Sequence, residues 1–390
     1  MSDGKFKDGS AGAARLADAG AQVGPGVRAW LGADVQVGSG VRIGNGAVLV
    51  ADRLVLGDEV RIGDGVDLRS GSVEIGARCE LLPDVKVLVA DSFALGPAGR
   101  IEVGVSITCR TFSAGRLFYF GHDSSVGYGG TTASTAHVRL GDRVALGPHS
   151  ILNANLPIEL GDQVGSGCNL TIWTHGFHFG HRLSDGYDAT FRGVEIHPNV
   201  WLGFHVTVLP GVRIGANTIV AAGAVVSRDL PEDVLAGGIP AKPLKPLVTA
   251  PLTDETLWDE VETLLDGWCT ELAWKGVSYE RTGPREVLAG DVRVICLEPD
   301  EQIVDTAQPH MGQLVIVTLG PRPDVSTSDL ARVVFELRSG VLRGRPSPVA
   351  HDLRDHLRRH ALPCGDEETF SGLPSGPFAR LTGPVPLQSW

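Results

Sequence analysis

The sequence predicts a parallel β-helix of stacked coils, followed by a small α/β domain. Three observations predict it: a six-residue apolar period, glycines at regular intervals, and a change of periodicity after residue 250. Val194, Val200, Val206 and Val212 stand six apart, with the small residues Thr218 and Ala224 next in phase. An Ile, Leu or Val follows two positions later in V-E-I-H, V-W-L-G, V-T-V-L and V-R-I-G. A helix repeats its faces every 3.6 residues and a flat strand every 2, so neither gives a period of six. Short strands broken by regular corners do, and three such hexapeptides close one triangular coil of about eighteen residues.

The same pattern appears earlier as V-Q-V-G-S-G at Val35, V-R-I-G-N-G at Val41, V-R-I-G-D-G at Val60, V-E-I-G at Val73 and I-E-V-G at Ile101. It returns as V-R-L-G-D-R at Val138 and I-E-L-G-D-Q at Ile158. Much of the chain's complement of 51 Gly supplies the corners, where positive φ is often needed. Residues 1–21 lack an apolar run and read as a mobile arm; residues 22–247 read as the coils. Between Asp91 and Ala136 the rhythm weakens, and an irregular segment is expected among continuing coils. A second interruption, at 174–193, is polar and rich in His, and a loop of that length inside a repeat is usually functional or disordered.

Residues 250–390 follow a different grammar. Thr253 can cap a helix with Asp254 and Glu255 in its first turn, and Leu257, Trp258, Val261, Leu264, Leu265, Trp268 and Leu272 form an amphipathic stripe. Val292 to Leu297 and Leu314 to Leu319 read as strands, Val333 to Leu337 as either helix or strand, and His351 to His360 as a short basic surface helix. No family is evident in this part.

Net charge of −12 argues against nucleic acid or an anionic membrane as partner. No segment has the length of an apolar membrane span. Six cysteines without a CxxC read as reduced thiols of a cytoplasmic protein.

The segment from Asn199 to Lys245 carries V-W-L-G, L-P-G-V-R-I-G, A-A-G-A-V-V-S-R-D and G-I-P-A-K in order. It resembles the hexapeptide-repeat acyltransferases, and within them the maltose and galactoside O-acetyltransferases. The resemblance implies a left-handed β-helix, a homotrimer with sites between subunits, and transfer of an acetyl or other acyl group from coenzyme A to a hydroxyl or amine. The donor's acyl group could also arrive on a carrier protein; the acceptor would be a small molecule or glycan, and no metal is expected.

In the resembled family the base follows an apolar strand and a Thr-containing turn, some two dozen residues before the tryptophan of V-W-L-G. His178 stands 23 positions before Trp201 and His175 stands 26 before it, so spacing favours His178 and the T-H pair after Ile172-Trp173 favours His175. An imidazole suits the task because its ordinary pKa lies near 6.5. By the same resemblance Trp201, Ala222, Ser227, Arg228, Lys242 and Lys245 contact coenzyme A, and Asn155 binds the acceptor. Phe204 departs from the family, which has a small polar residue there. The plainer readings are loop histidines in solvent, a corner-shielding tryptophan, solvated lysines and an asparagine in a turn.

Two other classes compete. A γ-carbonic anhydrase-like metalloenzyme needs a pair of His with four residues between them (H-x4-H) beside a third, and no His pair in the coils has that spacing. A non-catalytic scaffold would need neither the histidine loop nor the A-A-G-A-V-V-S-R-D segment. His356 and His360 also stand four apart, but Arg354, Arg358 and Arg359 beside them would repel a cation.

Overall fold

The computed structural model describes residues 9–127, 134–176, 180, 182–298, 301, 312–322, 325 and 331–365. The chain divides into two compact units, Met1–Thr249 and Ala250–Trp390.

The first unit is a parallel β-solenoid with three faces and three corners per coil. The first face carries a two-residue strand in most coils, such as Arg42–Ile43 and Arg61–Ile62, and each strand stacks on its counterpart in the next coil. The second and third faces form one sheet bent around the third corner. Val48–Leu56 and Asp67–Ile75 pair in parallel, with Leu49 opposite Leu68, Leu54 opposite Val73 and Leu56 opposite Ile75. Identical apolar positions therefore stack along the axis, and this row is shielded from water throughout.

The first two corners are set by backbone geometry. The chain enters the left-handed region at Gly40, Glu59, Arg78, Ala98, Leu117, Arg143, Gln163, Asn199, Asn217 and Asp233 on one corner. On the second it does so at Gly26, Gly46, Gly65, Asp84, Gly104, Asp123, His149, Asn169, His205 and Gly223. Each non-glycine there carries a steric cost of roughly 1–2 kcal/mol, which inter-coil hydrogen bonds offset. Aspartates add to these bonds: the Ser39, Asn45 and Asp142 amides donate to Asp58, Asp64 and Asp162 of the following coil at 2.7, 2.7 and 2.8 Å.

Coil length explains the uneven rhythm of the sequence. Val200 and Thr218, which stack, stand eighteen apart, whereas Val41 and Val60 stand nineteen apart. The earlier coils take an extra residue at the third corner, and Arg28–Val37 and Lys86–Leu95 take a second one, seen as register shifts between Leu31 and Asp34 and opposite Cys109 and Thr111. In the weak stretch the interior is filled by phenylalanines: Phe93, Phe112, Phe118 and Phe120 stack with centroids 5.6 to 5.9 Å apart. The coils continue through this region, and residues 128–133 of the glycine-rich segment lie outside those described.

Residues 9–18, expected within a mobile arm, instead form helix α1 (Gly9–Asp18). Its Leu16 is fully buried against the first coil, and Gly12 sits so close to Ala29 that a Cβ would fall 2.0 Å from the Ala29 carbonyl oxygen. Burial of Leu16, about 2 kcal/mol, acts together with the Arg15 hydrogen bonds to the Gly32 and Ala33 carbonyls to dock a short helix that composition alone reads as loose. At the far end Val234–Gly237 pairs antiparallel with Lys242–Pro246, ending the parallel stack.

The second unit holds a six-stranded sheet in the order Tyr279–Gly283, Glu286–Ala289, Val292–Leu297, Gln313–Thr318, Arg332–Glu336 and Val341–Arg343. The central three strands are parallel and the outer ones antiparallel. Helix α2 (Asp254–Trp274) buries its stripe, and Thr253 Oγ1 accepts from the Thr256 amide at 3.2 Å. Helix α3 (Pro348–Arg359) is not the solvated basic helix expected. Asp352, Arg354 and His356 are buried, because Asp352 accepts from Lys275 at 2.7 Å and from the Trp268 indole at 3.0 Å, while His356 pairs with Glu271 at 3.0 Å.

Candidate active site

The third corner changes character along the solenoid. In the early coils the chain bends around it within one strand. In the middle coils it opens, and the chain leaves the stack there between Asn153 and Ile158 and between Trp173 and Val194; between Val208 and Arg213 it is tight again. The polar, His-bearing loop therefore emerges at this edge.

Thr174 anchors the loop. It is fully buried; its hydroxyl donates to the Asn153 carbonyl at 2.7 Å and accepts from the Asn155 and Leu156 amides at 2.9 and 3.1 Å. One side chain thus ties two adjacent coils at the point where both depart from regular geometry. The next residue, His175, is held by a short antiparallel pairing, His175 with Phe191 and Gly176 with Thr190. The Arg192 amide donates to the Thr174 carbonyl at 3.0 Å and closes the base of the loop. The His175 ring lies between two aromatic side chains: nearly parallel to Phe191 at 5.9 Å and tilted 68° to Trp173 at 6.0 Å. Phe191 is half exposed and His175 partly exposed, so the imidazole is fixed while still reachable from solvent.

Asn153 pairs in register with Trp173, which puts Asn155 one coil below His175, roughly 4.8 Å along the axis. The Asn155 carbonyl oxygen Oδ1 is buried and meets no hydrogen-bond donor among the described residues; the same holds for Asn153 Oδ1. An amide oxygen left so is expensive, about 1–3 kcal/mol, unless a donor reaches it. His178, the other base candidate, lies outside the described residues.

The residues expected at coenzyme A fall into two groups. Ser227 and Arg228 are exposed on the same third corner, two coils above His175, roughly 10 Å along the axis. Trp201 is on the first face, half exposed, with its ring lying over Gly165, where a Cβ would come within 2.9 Å of the indole. Ile219 is exposed beside it in register, Ala222 is at the second corner, and Lys242 and Lys245 are exposed on the closing strand of the first face. Phe204, also exposed, follows Trp201 toward the second corner. Within one chain, then, the structure brings His175, Asn155, Ser227 and Arg228 to one edge and sets Trp201, Ala222, Lys242 and Lys245 away from it.

Thr174, Trp173 and Phe191 were missed from sequence. Only Thr174 had a signal there, as the residue before His175; the other two acquire meaning from the register. A groove of about 920 Å³ also flanks the third corner in the early coils, over Trp30, Val50, Arg69, Leu88 and Thr108, and none of the expected residues lines it. The buried thiols offer no nucleophile: burial pushes Cys79 up to about 11 and Cys109, Cys296 and Cys364 up to about 12.

Residues 193–228 match the family model described as bacterial transferase hexapeptide, six repeats. A Schizosaccharomyces pombe protein that bears an acetyltransferase name is 30% identical over 176 residues, which span 45% of this chain and 73% of that protein. The chain belongs to the hexapeptide-repeat acyltransferases. Galactoside O-acetyltransferase of Escherichia coli is 30% identical over 128 residues, 31% of this chain and 63% of that enzyme. Among solved structures, a hexapeptide-repeat acetyltransferase of Vibrio cholerae in complex with acetyl coenzyme A is 28% identical over 34% of this chain and 72% of that one, with a TM-score of 0.28. This chain is therefore an acyl-transferring enzyme. None of its helices, among the described residues, is long and apolar enough to cross a membrane.

Proposed function

We propose that this acyltransferase moves an acetyl or other acyl group from coenzyme A to a hydroxyl of a sugar or secondary-metabolite acceptor, with His175 as general base. The observation that carries the reading is the third-corner cluster. There a histidine is fixed between Trp173 and Phe191, one coil above a buried Asn155 carbonyl oxygen, an acceptor that meets no donor among the described residues. A thioester is already activated, so the protein must position the two substrates and remove one proton. Asn155 Oδ1 would take a hydrogen bond from an acceptor hydroxyl and turn a neighbouring hydroxyl toward the imidazole. His175 would then take that hydroxyl's proton as its oxygen bonds to the thioester carbonyl carbon. The C–S bond breaks as the carbonyl re-forms, and the coenzyme A thiolate leaves with the proton returned by the imidazolium.

The exposed cations Arg228, Lys242 and Lys245 suit the phosphates of the donor, Ser227 its amides, and the small corner at Ala222 close approach of its pantetheine arm. These residues divide between two edges of one chain. A site that uses both is completed between copies, and we take the assembly to be a homotrimer wound left-handed, as the family resemblance implies. The exposed apolar row of Trp201 and Ile219 gives such an assembly a surface to cover.

The test is release of coenzyme A thiol against a panel of sugars and glycosides, beginning with galactosides because of the Escherichia coli relative. Wild type is compared with His175→Ala, His178→Ala and the double variant. Loss of turnover in His175→Ala, with the double variant no worse, supports the assignment. Loss confined to His178→Ala moves the base to that residue, and undiminished turnover in both removes the loop from the chemistry.

A further inference from the structure

We propose that His122, Asp123 and His149 form a binding site for a divalent transition-metal ion on the second corner of the solenoid, away from the third-corner cluster. His122 and Asp123 belong to one coil and His149 to the next. The coils are fixed to each other there: the His149 amide donates to the His122 carbonyl at 3.0 Å, and the Asp123 amide donates to the Val103 carbonyl at 3.0 Å. The two imidazoles meet edge to face with centroids 4.8 Å apart, and His122 Nδ1 lies 3.1 Å from Asp123 Oδ2. One ligand atom from each of the three side chains lies within 4.8 Å of the other two. Two atoms bound to one zinc-sized ion, each about 2.0–2.2 Å from it, stand roughly 3–4 Å apart. Small side-chain rotations therefore close the set around an ion, with no backbone movement.

The donor set states which ions fit. Two imidazoles and one carboxylate suit zinc, cobalt, nickel or copper, whereas calcium and magnesium prefer oxygen throughout. All three side chains are exposed, so an ion can enter from solvent and would keep open positions for water or a further ligand.

The left-handed corner position is Asp123 in one coil and His149 in the next, so the turn itself brings their side chains to one edge. The same left-handed position is glycine at 46, 65 and 104, and it is His149 here, with φ of 59°. An exposed histidine–aspartate pair is worth little to stability. The sequence predicts no metal, because His122 and His149 stand 27 positions apart and share no helical or near-neighbour spacing. Here the ligands are one coil apart, and stacking makes them neighbours.

The experiment uses the full-length chain, freed of metal by chelator dialysis. It is titrated with Zn²⁺ against a chromophoric chelator and with Co²⁺ while the visible d–d bands are followed. The expected result is one Zn²⁺ per chain, with affinity falling at least tenfold in both His149→Asn and His122→Gln, and Co²⁺ bands that disappear in both. Asparagine accepts the left-handed corner, so the first variant should keep the wild-type circular dichroism; if it does not fold, His122→Gln decides alone. A wild type that binds no Zn²⁺ overturns the proposal, as do variants that bind as tightly as wild type, which would assign the ion to other histidines.

Discussion

The early and late coils of the solenoid share one interior and differ at one corner. In the coils up to Ala114 the chain rounds the third corner inside strands of nine or ten residues, such as Arg28–Val37 and Lys86–Leu95. From Ser125 onward the corresponding strands shrink to two to four residues; the polypeptide departs from the stack at that edge after Asn153 and after Trp173, and the last coils turn it tightly again. Every inter-coil hydrogen bond given up there costs something, and the early coils give up few. The late coils hold His175 and Asn155 at this opened edge and Ser227 and Arg228 at a tight turn of the same corner above it. On the proposed assignment of the base, stability resides where the corner is closed and proton transfer where it is open.

The strongest test of that division is His175→Ala, which should lower kcat by about 10² to 10⁴ in a coenzyme A release assay while leaving the thermal midpoint of the protein unchanged. A midpoint lowered in step with kcat would show that the loop is part of the scaffold. The converse substitution is Phe112→Ala, within the aromatic stack of the early coils. It should cost about 3–5 kcal/mol in denaturant unfolding with kcat per folded molecule intact. A large fall in kcat would mean that the two regions are coupled more tightly than their geometry implies.

Thr174→Val tests the join between them. The variant keeps the shape and removes the hydroxyl, leaving the Asn155 and Leu156 amides without their acceptor, at a cost of about 2 kcal/mol. Turnover should fall with it, since His175 and Asn155 are both fixed through this residue, and a variant affecting neither would remove the clamp from the account. Smallest is Arg228→Glu, which should weaken coenzyme A binding about tenfold by calorimetry, with unchanged stability.

The legible part of the fold was the part governed by an unbroken period. Between Val194 and Val225 each coil has eighteen residues, and the sequence states its structure directly. Where a bulge adds one residue per coil, as from Val41 to Val60, the phase drifts, and where phenylalanines fill the interior, as at Phe118 and Phe120, the aliphatic signature fades. The coils persist because stacking depends on register with the neighbouring coil, which no local window contains. Helix α1 escaped notice because its single buried anchor, Leu16, is too little to register as a pattern. Of the candidate site, His175 and Asn155 were visible through resemblance. Phe191 was not, since it reaches His175 only through a two-residue pairing across a loop. The burial of His356 was likewise hidden, because its partner Glu271 comes from another helix.

The two terminal pieces of the solenoid bear on how many coils it has. Nothing in the interior says where to stop: each coil ends in strands whose free backbone groups would accept another coil, from this chain or from a neighbour. An uncovered last rung is a template for fibre growth. Helix α1 lies across one end, with Leu16 driven into the first coil and the Arg15 guanidinium donating to the carbonyls of Gly32 and Ala33. At the other end the chain reverses and lays Lys242–Pro246 antiparallel on the last strand. Its two prolines lack an amide hydrogen, and all five of its side chains face water. The coil count is therefore set by the covers rather than by the repeat, and the same covers separate a soluble rod from a filament.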